Sequence, residues 1–391
     1  MVSGPAALLL GHGCLGCSLV APCQCAALGT YATNHGDPRE FHLGLLEAPV
    51  SIAAKRPRIV AIRPSWVTPG GRISIEGTNL MTDTAITPDV SLGAHPARVV
   101  YASSREVGVV VPVEAEGGHT PVRFEGALGE TAFVEIGQLI ATGLHQVDSP
   151  VIDQEGRVYL TYSGARGEQS QVSLFRVGRD GFRQPFLSGI TNATSMAFSP
   201  DGQLHVSSRF EGVVYRVSDD GAHEVVVSDL GVACGLAFSP DGTLYVGDRS
   251  GTVFRVATSG RAIPFATLPP SVAAFHLAWG PDDGIYVTAP TLSSHDSVYR
   301  LDHAGKVDVL CSSFGRPQGL AFDANGQLYV AEALAGVSAL YRVEQDGALV
   351  RVLAAGALVG LAFDPGGGLV VVSNDSAYRL DLPLRPFGTA S

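Results

Sequence analysis

The chain has 391 residues, enough for one large core and a smaller one. Hydrophobic residues make up 46% and charged residues 16%, which excludes a disordered chain, and 47 glycines with 24 prolines but no collagen period point to many short strands joined by turns. A formal charge of −11 with no basic run repels phosphate backbones and argues against nucleic acid as a partner, and the sequence has no apolar stretch of the ~18 residues or more that a membrane span needs.

Residues 1–56 show neither a strand period nor a helix period, and three readings stay open. Ala6 to Leu10 with Leu15-Gly16-Cys17 has the outline of a leader peptide, but no Lys or Arg precedes it and His12 breaks it. That weakness leaves the cytoplasm slightly favoured over export. Cys14, Cys17, Cys23 and Cys25, with His12 nearby, could give four thiolates to a zinc ion, although the single-residue gap of the second pair is unusual. A flexible extension is the third reading, and the isolation of the cysteine cluster favours it. The remaining cysteines, Cys234 and Cys311, are far apart and do not suggest a disulfide framework.

From Pro57 the pattern changes. Ile59 to Arg63 alternates as a strand, and a turn follows with Pro64, Pro69, Gly70 and Gly71. Ile73, Ile75 and Gly77 then alternate with Arg72, Ser74 and Glu76. Val90 to Leu92, Ala97 to Tyr101, Val107 to Val111 and Pro121 to Phe124 continue the series at the spacing of a β-sandwich. The run Ile62-Arg63-Pro64, Pro69-Gly70-Gly71 and Ile73-Ser74-Ile75-Glu76-Gly77-Thr78-Asn79-Leu80 resembles the opening of an immunoglobulin-like IPT/TIG domain. Val109-Val110-Val111-Pro112 and Gly117-Gly118 before Pro121-Val122-Arg123 fit the same resemblance. It implies an interaction or spacer module over residues 57–136.

Residues 137–391 repeat. Glu155-Gly156, Asp201-Gly202, Asp241-Gly242, Asp283-Gly284, Asn325-Gly326 and Gly366-Gly367 recur at a period of about 40–45 residues, the period of propeller blades. Each unit reads as an apolar run such as Cys234 to Phe238 or Gln318 to Phe322, then the turn, then strands such as Leu244-Tyr245-Val246 and Val253 to Val256. Asp-Gly favours a two-residue hairpin with both residues left-handed. The first runs are apolar on both faces, as inner strands between two neighbours would be, and Gly235, Gly319 and Gly360 suit a crowded axis. The sixth unit lacks its fourth strand. Phe133 to Thr142 has the right character to pair into that blade and close the ring. The reading is therefore all-β: an IPT/TIG-like sandwich, then a six-bladed propeller closed by the strand preceding its first blade.

Topology places the Asp-Gly turns on one face and the strand-two-to-three loops, with the entries to the first strands, on the other. The entries form an inner column of Asp148, Thr194, Cys234, Phe275, Gln318 and Val359, with His276 beside it. Ends of second strands add Ser208, Arg209, Asp248, Arg249, Glu332, Asn374 and Asp375, and a longer loop carries Thr291, His295 and Asp296. Such a channel mouth is the expected ligand site. Its candidate ligand-binding residues are Asp148, Thr194, Arg209, Asp248, Arg249, His276, His295, Gln318, Glu332 and Asn374. For Asp248 and Glu332 a role as internal loop braces is the plainer expectation.

The units resemble the NHL repeat and the senescence-marker-protein/gluconolactonase family. That resemblance implies a divalent metal, calcium or zinc, held where Glu precedes Gly-Pro, Asn precedes Gly-Leu and Asp precedes Gly-Leu. The matching places here are Asp148 before Ser149-Pro150, Thr194 before Ser195-Met196 and Gln318 before Gly319-Leu320. One carboxylate is a thin set for a cation that prefers six to eight oxygens. The sequence therefore favours a monomeric, non-enzymatic protein that binds a small molecule or a protein on its channel face. The alternative is a metal-dependent gluconolactonase-like hydrolase centred on Asp148.

Overall fold

A computed structural model of the chain describes residues 56–81, 87–127, 131–334 and 338–381. Every regular element among them is a β-strand, and no helix among them is long and apolar enough to cross a membrane. Cys14, Cys17, Cys23 and Cys25 lie outside the described residues.

Arg58–Arg63, Arg72–Thr78, Glu106–Val110 and Arg98–Ala102 form one sheet, neighbour to neighbour in that order. Alternation along Arg72–Thr78 turns Ile73 and Ile75 to one side, where both are fully buried. They pack with Val107, Val109, Val122 and Val134. Each such side chain contributes about 1.5–3 kcal/mol on leaving water. Val122 and Val134 come from the facing sheet, which contains Gly118–Phe124 and Ala132–Ile136.

That facing sheet does not end at the sandwich. The two-residue strand Trp66–Val67 pairs in parallel with Glu135 and Ile136 on one side and with Leu353 and Ala354 on the other. The last two belong to Leu349–Ala354, the outer strand of a downstream sheet. The segment Phe133 to Thr142, read from the sequence as a single blade strand, is divided at Gly137. Ala132–Ile136 belongs to the sandwich, and Gln138–Ala141 pairs antiparallel with Ala377–Leu380. The Gly137 N–H donates to Val67 O at 2.8 Å. A Cβ there would meet Tyr378 Cβ at 3.1 Å, so glycine fits where the chain changes sheets.

Downstream, four-stranded arrays succeed one another, with first strands Val151–Ile152, Ala193–Phe198, Ala233–Phe238, His276–Trp279, Pro317–Phe322 and Leu358–Phe363. Ala193–Phe198, Ala233–Phe238 and Pro317–Phe322 bury their first four residues without a break, as strands covered on both faces do. Each first strand packs against that of the next array, and the sixth packs against the first. The cores lie between arrays. Val158 and Leu160 of the first, for example, share one with Val370 and Val372 of the sixth. The fold is all-β and β-propeller-like.

The Asp-Gly turns differ from the two-residue form expected. In Ser199-Pro200-Asp201-Gly202 the Gly202 N–H donates to Ser199 O at 2.8 Å, and Ser199 N–H donates to Gln203 O at 2.9 Å. Gly202 has φ +84°, whereas Asp201 is not left-handed. Ser218-Asp219-Asp220-Gly221, which has no proline, makes the same two bonds, both at 2.9 Å. The shared feature is the residue that opens the turn: Ser199 Oγ accepts the Gln203 N–H at 3.1 Å, as Asp153 Oδ1 accepts the Arg157 N–H at 2.9 Å. This favours a type I turn with serine or aspartate first and glycine last, and the glycine then rejoins the strand.

Candidate functional site

At the end of each array opposite these turns, the loop after the second strand meets the entry to the first. Asp248 closes Leu244–Asp248 and accepts the Val232 N–H at 2.8 Å and the Ser250 hydroxyl. Glu332 closes Leu328–Glu332 and accepts N–H groups from Gly315, Arg316 and Leu334, each at 2.8 Å. Ser208, at the equivalent place, donates to Thr191 O at 2.6 Å. Asp296 accepts both the N–H and the hydroxyl of Thr291, at 3.0 and 2.6 Å. Both Asp248 and Glu332 are buried. Their oxygens hold backbone donors that would otherwise be orphaned, so they brace the loops.

The inner column is held in the same way. Gln146 donates to Asp148 O at 2.7 Å and accepts the Thr161 N–H at 2.7 Å. Asn374, an exposed residue, donates to Gln146 O at 3.1 Å. Thr194 is fully buried and donates its hydroxyl to Asn192 O at 2.8 Å. Gln318 is buried, and its backbone carbonyl accepts the Thr288 hydroxyl.

Asp148 carries the column's most unusual contact. Its Oδ1 accepts the Ser149 N–H at 2.6 Å and lies 2.5 Å from Nδ1 of His276. His276 opens the first strand of the fourth array, so the pair ties that array to the entry of the first. Exposure is 4% for Asp148 and 1% for His276. The Nε2 of His276 has no hydrogen-bond partner among the described residues. Cys234 lies nearby. Burial, with Asp148 and Asp248 adding to it, pushes its thiol up to about 11, so at neutral pH it is a protonated, inert group.

Arg209 is half-buried at the end of the second array's second strand, and burial pulls its pKa down, with Arg249 and Arg166 acting in the same direction. It forms no hydrogen bond or ion pair with another described residue. Arg249 donates to Ser271 O at 3.3 Å. Burial, with Arg209 second, lowers the pKa of His145. His295 is exposed and touches only its neighbour Ser294, at 3.2 Å. Among the described residues no three His, Cys, Asp or Glu side chains converge as a metal site would require. Asp148 has an imidazole beside it, and among the described residues no third such group joins the pair.

Sequence reasoning missed His145, Gln146, Arg166 and Asn192. Asn192 is left-handed at φ +51° and 1% exposed. Its side chain accepts the Gly167 N–H at 2.7 Å and donates to Ala165 O at 2.8 Å. A cleft of about 410 Å³ opens beside that loop, lined by Tyr162, Ala165, Glu168 and Phe175 among others. The one available signal was an asparagine just before an inner strand, a residue type that tolerates the left-handed region.

Residues 57–128 match the IPT/TIG domain family model. No curated protein matches the chain. A gluconolactonase from Xanthomonas campestris is similar in structure at TM-score 0.55 and 15% identity, covering 76% of this chain and 98% of that one. An auxiliary nutrient binding protein from Bacteroides thetaiotaomicron is similar at TM-score 0.51 and 13% identity, covering 83% and 97%. A protein of unknown function from the same organism reaches TM-score 0.52 at 14% identity, covering 84% and 98%. At these identities the likeness is one of fold. The chain carries an IPT/TIG domain at residues 57–128, followed by a β-propeller-like fold of the kind these proteins share.

Proposed function

We propose that the chain is a non-enzymatic binding protein. In this reading residues 137–391 form one closed six-bladed propeller, with Gln138–Ala141 completing the last blade. Residues 57–136 are the IPT/TIG domain that orients it, and residues 1–56 are an extension. The ligand is a small molecule seated on the face opposite the Asp-Gly turns. Arg209 and Arg249 lie nearest it, His295 and Asn374 lie at the rim, and Thr194, His276 and Gln318 form the buried layer beneath.

One observation carries the reading. The buried carboxylates of that face are already committed: Asp248 and Glu332 to backbone N–H groups, and Asp148 to His276 and Ser149. The metal-dependent hydrolase centred on Asp148 would need that carboxylate free to hold the metal or activate water. A protein of similar fold is described as an auxiliary nutrient binding protein, which supports a binding role.

The test is thermal melting of the full chain with a panel of sugars, sugar acids and amino acids, alongside assays of glucono-lactone hydrolysis with calcium, zinc and manganese. The expected result is stabilisation by at least one compound, lost in His295→Ala or Asn374→Ala and kept when the Pro200–Gly202 turn is altered. A metal-dependent lactonase activity abolished by Asp148→Ala would overturn the reading in favour of the hydrolase.

A further inference from the structure

We propose that Arg166, Arg209 and Arg249 form a binding site for the anionic group, carboxylate or phosphate, of a small molecule on the channel face. This names the ligand class for the binding function proposed above and rests on it.

The three residues occupy related positions. Arg209 directly follows Leu204–Ser208 in the second array, and Arg249 directly follows Leu244–Asp248 in the third. Arg166 sits in the loop after Val158–Thr161 of the first. All three lie on the same face. The Asn192 side chain clips Ala165 and Gly167, the two neighbours of Arg166, over the entry of the second array. Ala193, next in sequence, pairs with Ser208, the residue before Arg209. Gly167 also lies against Phe210, where a Cβ would come within 2.9 Å of the ring. Two independent contacts therefore bring Arg166 towards Arg209. On the other side, Gly212, just past Arg209, lies against Gly231, where a Cβ would come within 2.7 Å of the carbonyl oxygen, and the next residue, Val232, accepts the Arg249 N–H at 3.2 Å, so Arg249 flanks Arg209 there. The charges of both Arg166 and Arg249 act on Arg209.

Among the described residues no group neutralises this cluster. Arg166 and Arg209 make no side-chain hydrogen bond or ion pair with a described residue, and Arg249 has only a long bond to Ser271 O, at 3.3 Å. The carboxylates closest along the chain are spent elsewhere. Asp248 holds Val232 N and Ser250, and Glu211 holds the Tyr215 hydroxyl at 2.9 Å. Glu168 lines the neighbouring cleft and forms no ion pair with any of the three. Convergence of three cations is notable in a chain with 37 acidic and 26 basic residues. A guanidinium stays charged at neutral pH. Half-burying one beside two others, with no counter-ion, costs folding free energy. An anion offsets that cost, and the planar fork of arginine matches carboxylate and phosphate oxygens two at a time.

Isothermal titration of the full chain at low salt tests this, with sodium D-gluconate and inorganic phosphate as probes and D-glucose as the neutral control. We expect one anion or both to bind and to weaken as sodium chloride is added. Arg209→Met and Arg166→Met should each reduce affinity at least tenfold, and Arg261→Ala, in a hairpin turn of the opposite face, should not. The gluconate and phosphate arms tell which group the site prefers. Without ligand, Arg209→Met should melt no lower than the parent. Should that variant fail to fold, Arg166→Met and Arg249→Gln carry the comparison. Absence of anion binding, or anion binding indifferent to these substitutions, overturns the proposal. Glucose binding as well as gluconate also overturns it, while leaving the broader binding function intact.

Discussion

Nδ1 of His276 lies 2.5 Å from Oδ1 of Asp148 across a sequence separation of 128 residues. In the closed ring proposed above, the two belong to the first and fourth blades, so the pair spans the channel and closes it. Both residues are buried, and removing one partner strands the other. Asp148→Ala should cost about 3–5 kcal/mol, because His276 would then have both ring nitrogens buried without partners. His276→Ala should cost a similar amount. The double variant should be less damaging than the sum by about 1–3 kcal/mol. Urea unfolding of the four proteins measures this, and simple additivity would mean that the pair does not act as a unit.

Glu332 offers a different kind of test. Three backbone N–H groups depend on its two oxygens. Glu332→Ala should destabilise the protein by about 2–4 kcal/mol, since buried unmade hydrogen bonds are expensive. Amide exchange at Gly315, Arg316 and Leu334 should accelerate first. If Glu332 contacts ligand instead, the substitution will abolish binding with little change in unfolding.

The strands and turns were legible because their signals are local. Alternation along Arg72–Thr78 and the unbroken apolar run of Ala233–Phe238 state which faces are buried, and glycine turns recur at a fixed period. The face carrying the inner column followed from strand order. What stayed hidden depends on distant partners. Nothing near Trp66–Val67 signals that a two-residue strand will pair with Leu353 and Ala354. The Asp148 to His276 contact and the Asn192 clip are likewise tertiary. Even the turn type escaped a rule based on Asp-Gly alone, because the serine or aspartate that opens the turn also shapes it.

Cys234 gives a pH-dependent prediction. Its thiol titrates near 9.0 when exposed and is pushed up to about 11 in the fold, chiefly by burial. A raised folded pKa means that the unfolded chain loses its proton first. The associated stability is fully present below about pH 9 and is lost as pH rises towards about 11. Cys234→Ser would flatten that loss, because a serine hydroxyl does not titrate in this range. Urea midpoints of both proteins between pH 8 and pH 11, compared at each pH, check the sign. Native Cys234 should also resist iodoacetamide at pH 8, since the reagent needs an accessible thiolate.

The junction between sandwich and propeller makes the last case. Thr68 N–H donates to Ala354 O at 2.9 Å, Glu135 N–H donates to Ser65 O at 2.8 Å, and Arg351 donates to Arg72 O at 3.0 Å. Gly71 sits at this contact, where an added Cβ would lie 2.6 Å from Ala354 O and 2.7 Å from Val67 Cγ2. The first of these is backbone within the sheet and cannot swing aside. The continuous sheet should make the described domains unfold in one calorimetric transition. Gly71→Ala should force Trp66–Val67 away from Leu349–Ala354, lower stability by about 1–3 kcal/mol, and separate the sandwich transition from that of the propeller. A variant that melts once, at the parent temperature, would show that the two domains are coupled by something other than this shared sheet.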